Sequence, residues 1–132
     1  MRQKYLALAT VAFILSLATA AYSQADPHSV PAVDAGLGSC TAAFIITDTD
    51  GKPVYNAKIE VRVSYGRFHR MDLEVGTNID GKARFAGLPE SPKHGFLFEA
   101  SEGDRTGNAF QDPSNKCHAD FTITLRKSNQ PQ

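Results

Sequence analysis

Tryptophan is absent from the 132 residues, cysteine occurs only twice, and neither sign of charge prevails, with 14 Lys and Arg against 14 Asp and Glu. Each shortage excludes something. A dedicated carbohydrate-binding face without tryptophan lacks the large flat rings that usually supply its stacking. Balanced charge gives no reason to expect nucleic acid, which selects for concentrated positive charge. Cys40 and Cys117 form no C-x-x-C pair, so the zinc clip and the dithiol redox motif are both missing. There is no Gly-x-Ser-x-Gly elbow, and a disulfide would withdraw both thiols from nucleophilic chemistry. Beyond the first residues, apolar side chains never recur with a helical period over three turns, which leaves strands to build the core.

What is present begins with an export pattern. Residues 1–25 carry Arg2 and Lys4, an apolar run from Tyr5 to Ala18, then small residues, and are expected to be a secretory signal peptide cleaved after Ala25. The run falls short of the roughly 20 residues that a membrane anchor needs. No membrane anchor is therefore expected after cleavage, and the location is expected to be secreted or periplasmic. Loss of Arg2 and Lys4 leaves 12 basic against 14 acidic side chains, a net charge of −2. In an oxidising compartment the two cysteines, 77 residues apart, most simply join to each other. Closing such a loop stabilises by roughly 4 kcal/mol in the chain-entropy account.

Residues 26–39, rich in Pro, Ala, Gly and Ser, are expected to form a flexible linker, residues 40–126 the folded domain, and the polar residues 127–132 a disordered tail. The domain is organised around Thr47-Asp48-Thr49-Asp50-Gly51-Lys52-Pro53, a polar turn followed by strict alternation. Ala57, Ile59, Val61 and Val63 fall on one face, Lys58, Glu60 and Arg62 on the other, as in a half-buried strand. Asp-Gly offers the chain a cheap reversal, so the apolar strand Thr41 to Thr47 is expected to fold back onto Ala57–Ser64. Because Ala43, Phe44, Ile45 and Ile46 are nearly continuous, that strand is expected to be covered on both sides or central in its sheet. The same punctuation returns in Thr77-Asn78-Ile79-Asp80-Gly81-Lys82. Further strands are expected at Met71–Val75, Lys82–Phe85, Phe96–Ala100, Arg105–Phe110 and Phe121–Leu125, with a loop at 87–95 where prolines remove ladder donors. Short strands at regular spacing mean a sandwich.

The run Ile45-Ile46-Thr47-Asp48 leading to Asp50-Gly51-Lys52-Pro53-Val54, Asn56-Ala57-Lys58-Ile59-Glu60-Val61, then Thr77 to Lys82, Phe85 and Gly87-Leu88-Pro89, resembles the carboxypeptidase regulatory-like domains. Where that family continues with a Gly-x-Tyr strand entry, this chain has the longer Pro92-Lys93-His94-Gly95-Phe96. The resemblance spans about residues 41–125 and implies a transthyretin-like (prealbumin-like) fold, an all-β, seven-stranded Greek-key β-sandwich. In that fold the first and last strands are parallel neighbours, which would set Cys40 and Cys117 at one end and make their bridge geometrically reasonable.

Some transthyretin-like proteins are enzymes. The hydroxyisourate hydrolases carry a C-terminal Tyr-Arg-Gly-Ser, absent from Arg126-Lys127-Ser128-Asn129-Gln130-Pro131-Gln132. Intradiol dioxygenases hold iron with two Tyr and a close His pair, whereas His28, His69, His94 and His118 are scattered here. A metal centre from His69, His94 and His118 competes with the plainer reading of solvated loop histidines. Asp48, Asp50 and Gly51 echo only part of a calcium loop. No metal and no cofactor are expected. Tyr65-Gly66-Arg67-Phe68-His69-Arg70 interleaves aromatics with cations that could stack on a sugar or hold an anion. Against that stands an exposed connector whose Phe68 tucks into the core.

These readings predict a non-catalytic module acting through protein contacts or as a structural accessory. The first alternative is carbohydrate or small-anion binding at Tyr65, Arg67, Phe68, His69 and Arg70, and the second is a transthyretin-like hydrolase. An enzyme is not expected. The partner, a protein or a glycan, is left open.

Overall fold

The computed structural model describes residues 26–128, and among these every regular element is a strand. In chain order they are β1 (Ala32–Asp34), β2 (Cys40–Thr47), β3 (Lys58–Tyr65), β4 (His69–Gly76), β5 (Lys82–Leu88), β6 (Phe96–Glu102), β7 (Arg105–Gln111), β8 (His118–Thr124) and β9 (Arg126–Lys127). A four-stranded sheet runs β1-β5-β2-β8 and a five-stranded sheet β4-β3-β6-β7-β9, without closure into a barrel. The signal peptide expected over residues 1–25 and the tail beyond residue 128 lie outside the described residues.

Nine strands stand where seven were expected. The first addition is β1, which pairs parallel with β5 inside the stretch read as a loose linker. Its cause is a short alternation: Val33, Ala35 and Leu37 pack against the core while their neighbours face water. Backbone bonds from Arg84 N–H to the Pro31 carbonyl and from Leu37 N–H to the Gly87 carbonyl extend the attachment on both sides. The second addition, β9, pairs with Arg105 and Thr106 of β7 through two exposed residues, too few to leave a pattern.

Alternation does set the core. Ala57, Ile59, Val61 and Val63 are buried while Lys58, Glu60 and Arg62 are exposed. Along β2 the buried set is Cys40, Ala42, Phe44 and Ile46, and Ile45 is 40% exposed. So β2 is central between β5 and β8 but covered on one face only. Between the sheets Phe44 meets Phe98 edge-on at 4.8 Å and Phe121 in a stack at 5.7 Å, with Phe85 6.0 Å away. Each phenylalanine removed from water contributes roughly 1.5–3 kcal/mol.

The hairpin expected between β2 and β3 does not form. β2 lies in one sheet and β3 in the other, and only the Thr47–Pro53 bridge joins the flanks of the Asp-Gly turn. Each strand has one apolar face, and the sandwich buries the face of β2 in one layer against that of β3 in the other. The turn is therefore a corner between sheets. The second corner, Asn78–Lys82, lies against it: Ile46 N–H donates to the Gly81 carbonyl at 2.7 Å. Gly81 has a positive φ of 71°, and a Cβ there would collide with the Ile46 carbonyl oxygen, so no other residue fits.

β2 and β8 run parallel in continuous register, from Thr41 opposite His118 to Thr47 opposite Thr124. The Cys40–Cys117 disulfide closes one end of this pair, with 4.6 Å between Cα atoms. Gln111, buried at the same corner, donates from Nε2 to the carbonyls of Thr41, Lys116 and Cys117.

Candidate functional site

The β3–β4 ladder ends at the pair Tyr65 and His69, and Gly66-Arg67-Phe68 closes the hairpin. Gly66 takes a positive φ of 59°, which lets the chain turn there. The rings of Tyr65 and His69 stack at 5.3 Å with 21° between planes, an arrangement that fixes the last rung. Phe68 is 90% exposed. It does not tuck into the core as the connector reading of this hexapeptide had expected. The ring stands almost wholly in water at the tip of the hairpin, free to be touched from outside.

The loop after β5 comes alongside. Lys93 N–H reaches the Ser64 carbonyl at 3.4 Å, which lays Lys93 and His94 beside the hairpin. Together these segments border an open cavity of about 160 Å³ lined by Ser64, Tyr65, Gly66, Arg67, Phe68, His69, Arg70, Lys93 and His94. All five residues singled out in the hexapeptide line it. Lys93 has no part in the sequence-based reading of this hairpin, and His94 enters it only as a candidate metal ligand, because the proline-punctuated loop gives no sign of where it packs. A signal was there: Lys-His, between prolines and glycine, is a cationic pair held in a loop of restricted reach.

No carboxylate lines the cavity, and among the described residues none forms an ion pair with Arg67, Arg70 or Lys93. Three permanent cations thus face one small space unneutralised. At about 30 Å³ per water, the space takes roughly five waters, so a phosphate, sulfate or carboxylate group fits and a drug-sized ligand, which needs about 300 Å³ or more, does not. The arrangement can hold the anionic end of something larger, with Arg forks as bidentate donors and the Tyr65 and Phe68 rings as stacking surfaces.

The other histidines are placed elsewhere. His118 Nδ1 is 2.9 Å from Thr41 Oγ1 across the β2–β8 pair, and His28 Nδ1 is 2.9 Å from Asp80 Oδ2. His69 and His94 share the cavity, but the three-histidine centre does not assemble: among the described residues no three of His, Cys, Asp and Glu group around a common point. At the Asp-Gly corner, Asp48 Oδ1 accepts from the backbone N–H groups of Asp50 and Lys52 at 2.9 Å each. The Lys52 bond chiefly, helped by that of Asp50 and the Lys52 charge, holds the Asp48 carboxyl below the usual range. Its charge is used by the turn.

A second depression, of about 590 Å³, lies on the outer face of the five-stranded sheet, bounded among others by Glu60, Asp72, Glu74, Leu97 and Glu99. Sequence reading had assigned this face no role.

No protein-family model matches the chain. No curated protein sequence matches it either. Solved structures with partial similarity to it are intradiol dioxygenases. Catechol 1,2-dioxygenase from an Acinetobacter species, inhibited by bound mercury, is 14% identical over 79% of this chain, with a TM-score of 0.45. The 3-chlorocatechol 1,2-dioxygenase of Rhodococcus opacus is 14% identical over 78%, with a TM-score of 0.46, and the catechol 1,2-dioxygenase of Acinetobacter radioresistens 12% identical over 80%, also at 0.46. The chain spans 62%, 66% and 63% of the length of these three. The expectation that this chain is not an enzyme is corrected, since the structures it is similar to are enzymes by name. At this identity no residue role passes from them to this chain.

Proposed function

We propose that this chain is an exported module of the transthyretin-like, carboxypeptidase regulatory-like kind that works by contact, capturing an anionic group of a protein or glycan at the β3–β4 end. One observation carries the reading: Arg67, Arg70 and Lys93 line, with the exposed Phe68, a cavity that no carboxylate lines. The three side chains are exposed and carry like charge in one small space, a repulsion that an incoming anion relieves while accepting charge-assisted hydrogen bonds. The parallel β2–β8 pair and the arrangement β5-β2-β8 over β4-β3-β6-β7 support the transthyretin-like assignment. Export is supported by the disulfide, which persists in oxidising compartments. Among the described residues no helix is long and apolar enough to cross a membrane.

The test is a titration of the mature protein with inorganic phosphate, sulfate and sulfated oligosaccharides, read by amide shifts. Shifts confined to residues 64–70 and 93–94, and abolished by Arg67→Ala with Arg70→Ala, are expected. Silence at those positions with every anion at millimolar concentration would sink the reading.

A further inference from the structure

The outer face of the five-stranded sheet breaks a rule of strand pairing. Glu60 stands directly opposite Glu74 on one side and Glu99 on the other, so three carboxylates form one row across β4, β3 and β6. Like charges directly opposite are destabilising. Lys58 bonds Glu60 at 3.0 Å, while Glu74 and Glu99 have no ion-pair partner among the described residues. Next to the row the face is apolar: Leu97, 50% exposed, pairs across strands with Phe110, 62% exposed. Lys58 and Arg62 offset part of this charge, but Glu60, Asp72, Glu74 and Glu99 outnumber them, and an apolar pair beside a net acidic patch, over a shallow depression of about 590 Å³, suits something apolar and cationic.

The hairpin tip has that composition, with Phe68 exposed between Arg67 and Arg70. It cannot serve its own face. Glu60 is five residues down β3 from Tyr65, roughly 17 Å along a paired strand, and the tip points away from it. We infer that the occupant of the face is a second copy of this chain, whose Phe68 seats against Leu97 and Phe110 while Arg67 and Arg70 pair with the glutamate row. The contact joins two different surfaces, so it propagates head to tail into open chains or a ring. This rests on the hairpin's being an anion-capturing end and names its partner.

The experiment uses two variants of the full mature chain in analytical ultracentrifugation. One is altered at the hairpin (Arg67→Ala with Phe68→Ala), the other at the face (Glu74→Lys with Glu99→Lys). The unaltered protein is expected to associate with rising concentration, and to do so at least tenfold more weakly when salt rises from about 50 to 500 mM. Each variant alone stays monomeric, and an equimolar mixture yields a one-to-one dimer that grows no further, because each partner keeps one working surface. A monomeric unaltered protein at every concentration, variants that associate like it, or a face that takes a basic peptide but no second copy each overturns the inference. If the chain does not self-associate while the hairpin still shows phosphate-induced shifts, only the self-contact fails. If both are absent, the anion-capturing reading falls with it.

Discussion

Asp48 and Asn78 hold the same place in two copies of one turn. Asp48 Oδ1 accepts from the backbone N–H groups of Asp50 and Lys52, and Asn78 Oδ1 accepts from those of Asp80 and Lys82, all four bonds at 2.9–3.0 Å. Each residue's own N–H then closes onto the carbonyl of the lysine four positions on. The copies differ at the second side-chain atom. Asn78 Nδ2 donates to the carbonyls of His28 and Ser29 at 3.1 and 3.2 Å, and Asp48 has no such donor. Asn78 is buried and Asp48 is not. An amide is needed where the lead-in must be tied to the corner, and a carboxylate suffices where only the turn must be made.

Asn78→Asp is accordingly expected to be far more harmful than Asp48→Asn. The first keeps the turn acceptor but sets a carboxylate against two carbonyls, for a loss of about 2 kcal/mol. In a domain of this size that lowers the melting temperature by roughly 10 °C. Part of the loss should be recovered in acid, where the new carboxyl regains a proton to donate. Thermal unfolding followed by circular dichroism checks both variants, and equal melting temperatures would contradict the difference drawn between the turns.

Strand positions and buried faces were legible because alternation is local: β3, β5, β6 and β8 bury the residues that period two selects. Which sheet a strand joins is not local. The Asp-Gly turn after Thr47 suits a hairpin and a sheet-to-sheet corner equally, and layering alone decides between them. β1 was hidden by composition, since prolines and glycines around Val33, Ala35 and Leu37 outweighed three alternating residues. At the candidate site the hairpin half was legible from its aromatic and cationic residues. Lys93 and His94 were not, because only the backbone bond from Lys93 to Ser64, across 29 positions of sequence, brings them there.

His28 and Asp80 give the lead-in a pH dependence. The hydrogen bond to Asp80, then the Asp80 charge, raise the His28 pKa above 6.5 in the folded chain. A raised pKa favours folding while the histidine is protonated in both states, so the contribution is complete below about pH 6.5 and is lost as pH climbs through the folded value. A proton NMR titration should place His28 above 6.5, and Asp80→Asn should return it toward that value. An unchanged titration in the variant would show that the pair is not formed in solution.

The disulfide acts on the unfolded chain. Thr41 and His118 already pair in register beside it, so the native ladder does not require the bond, whereas the free chain loses the freedom of a loop with a separation of 77 residues. Cys40→Ser with Cys117→Ser should cost about 4 kcal/mol. Under native conditions, anion-induced shifts at the hairpin should be unchanged. Chemical denaturation with and without the bridge measures the first, and the phosphate titration the second.

Phe98 and Phe68 should separate stability from recognition. Phe98 is fully buried, 4.8 Å from Phe44, 5.9 Å from Phe85 and 5.9 Å from Phe121, so truncation to alanine leaves a cavity shared by both sheets. That substitution is expected to cost about 3–5 kcal/mol and, in a marginally stable domain, to leave little folded protein at 37 °C. Phe68 is 90% exposed, and Phe68→Ala should change stability by no more than about 0.5 kcal/mol while weakening every contact made by the hairpin tip. Denaturant unfolding of the two variants, paired with sedimentation of Phe68→Ala, tests the assignment. If Phe68→Ala destabilised as much as a core truncation, the ring would be part of the fold, and the hairpin would lose its standing as a surface kept for a partner.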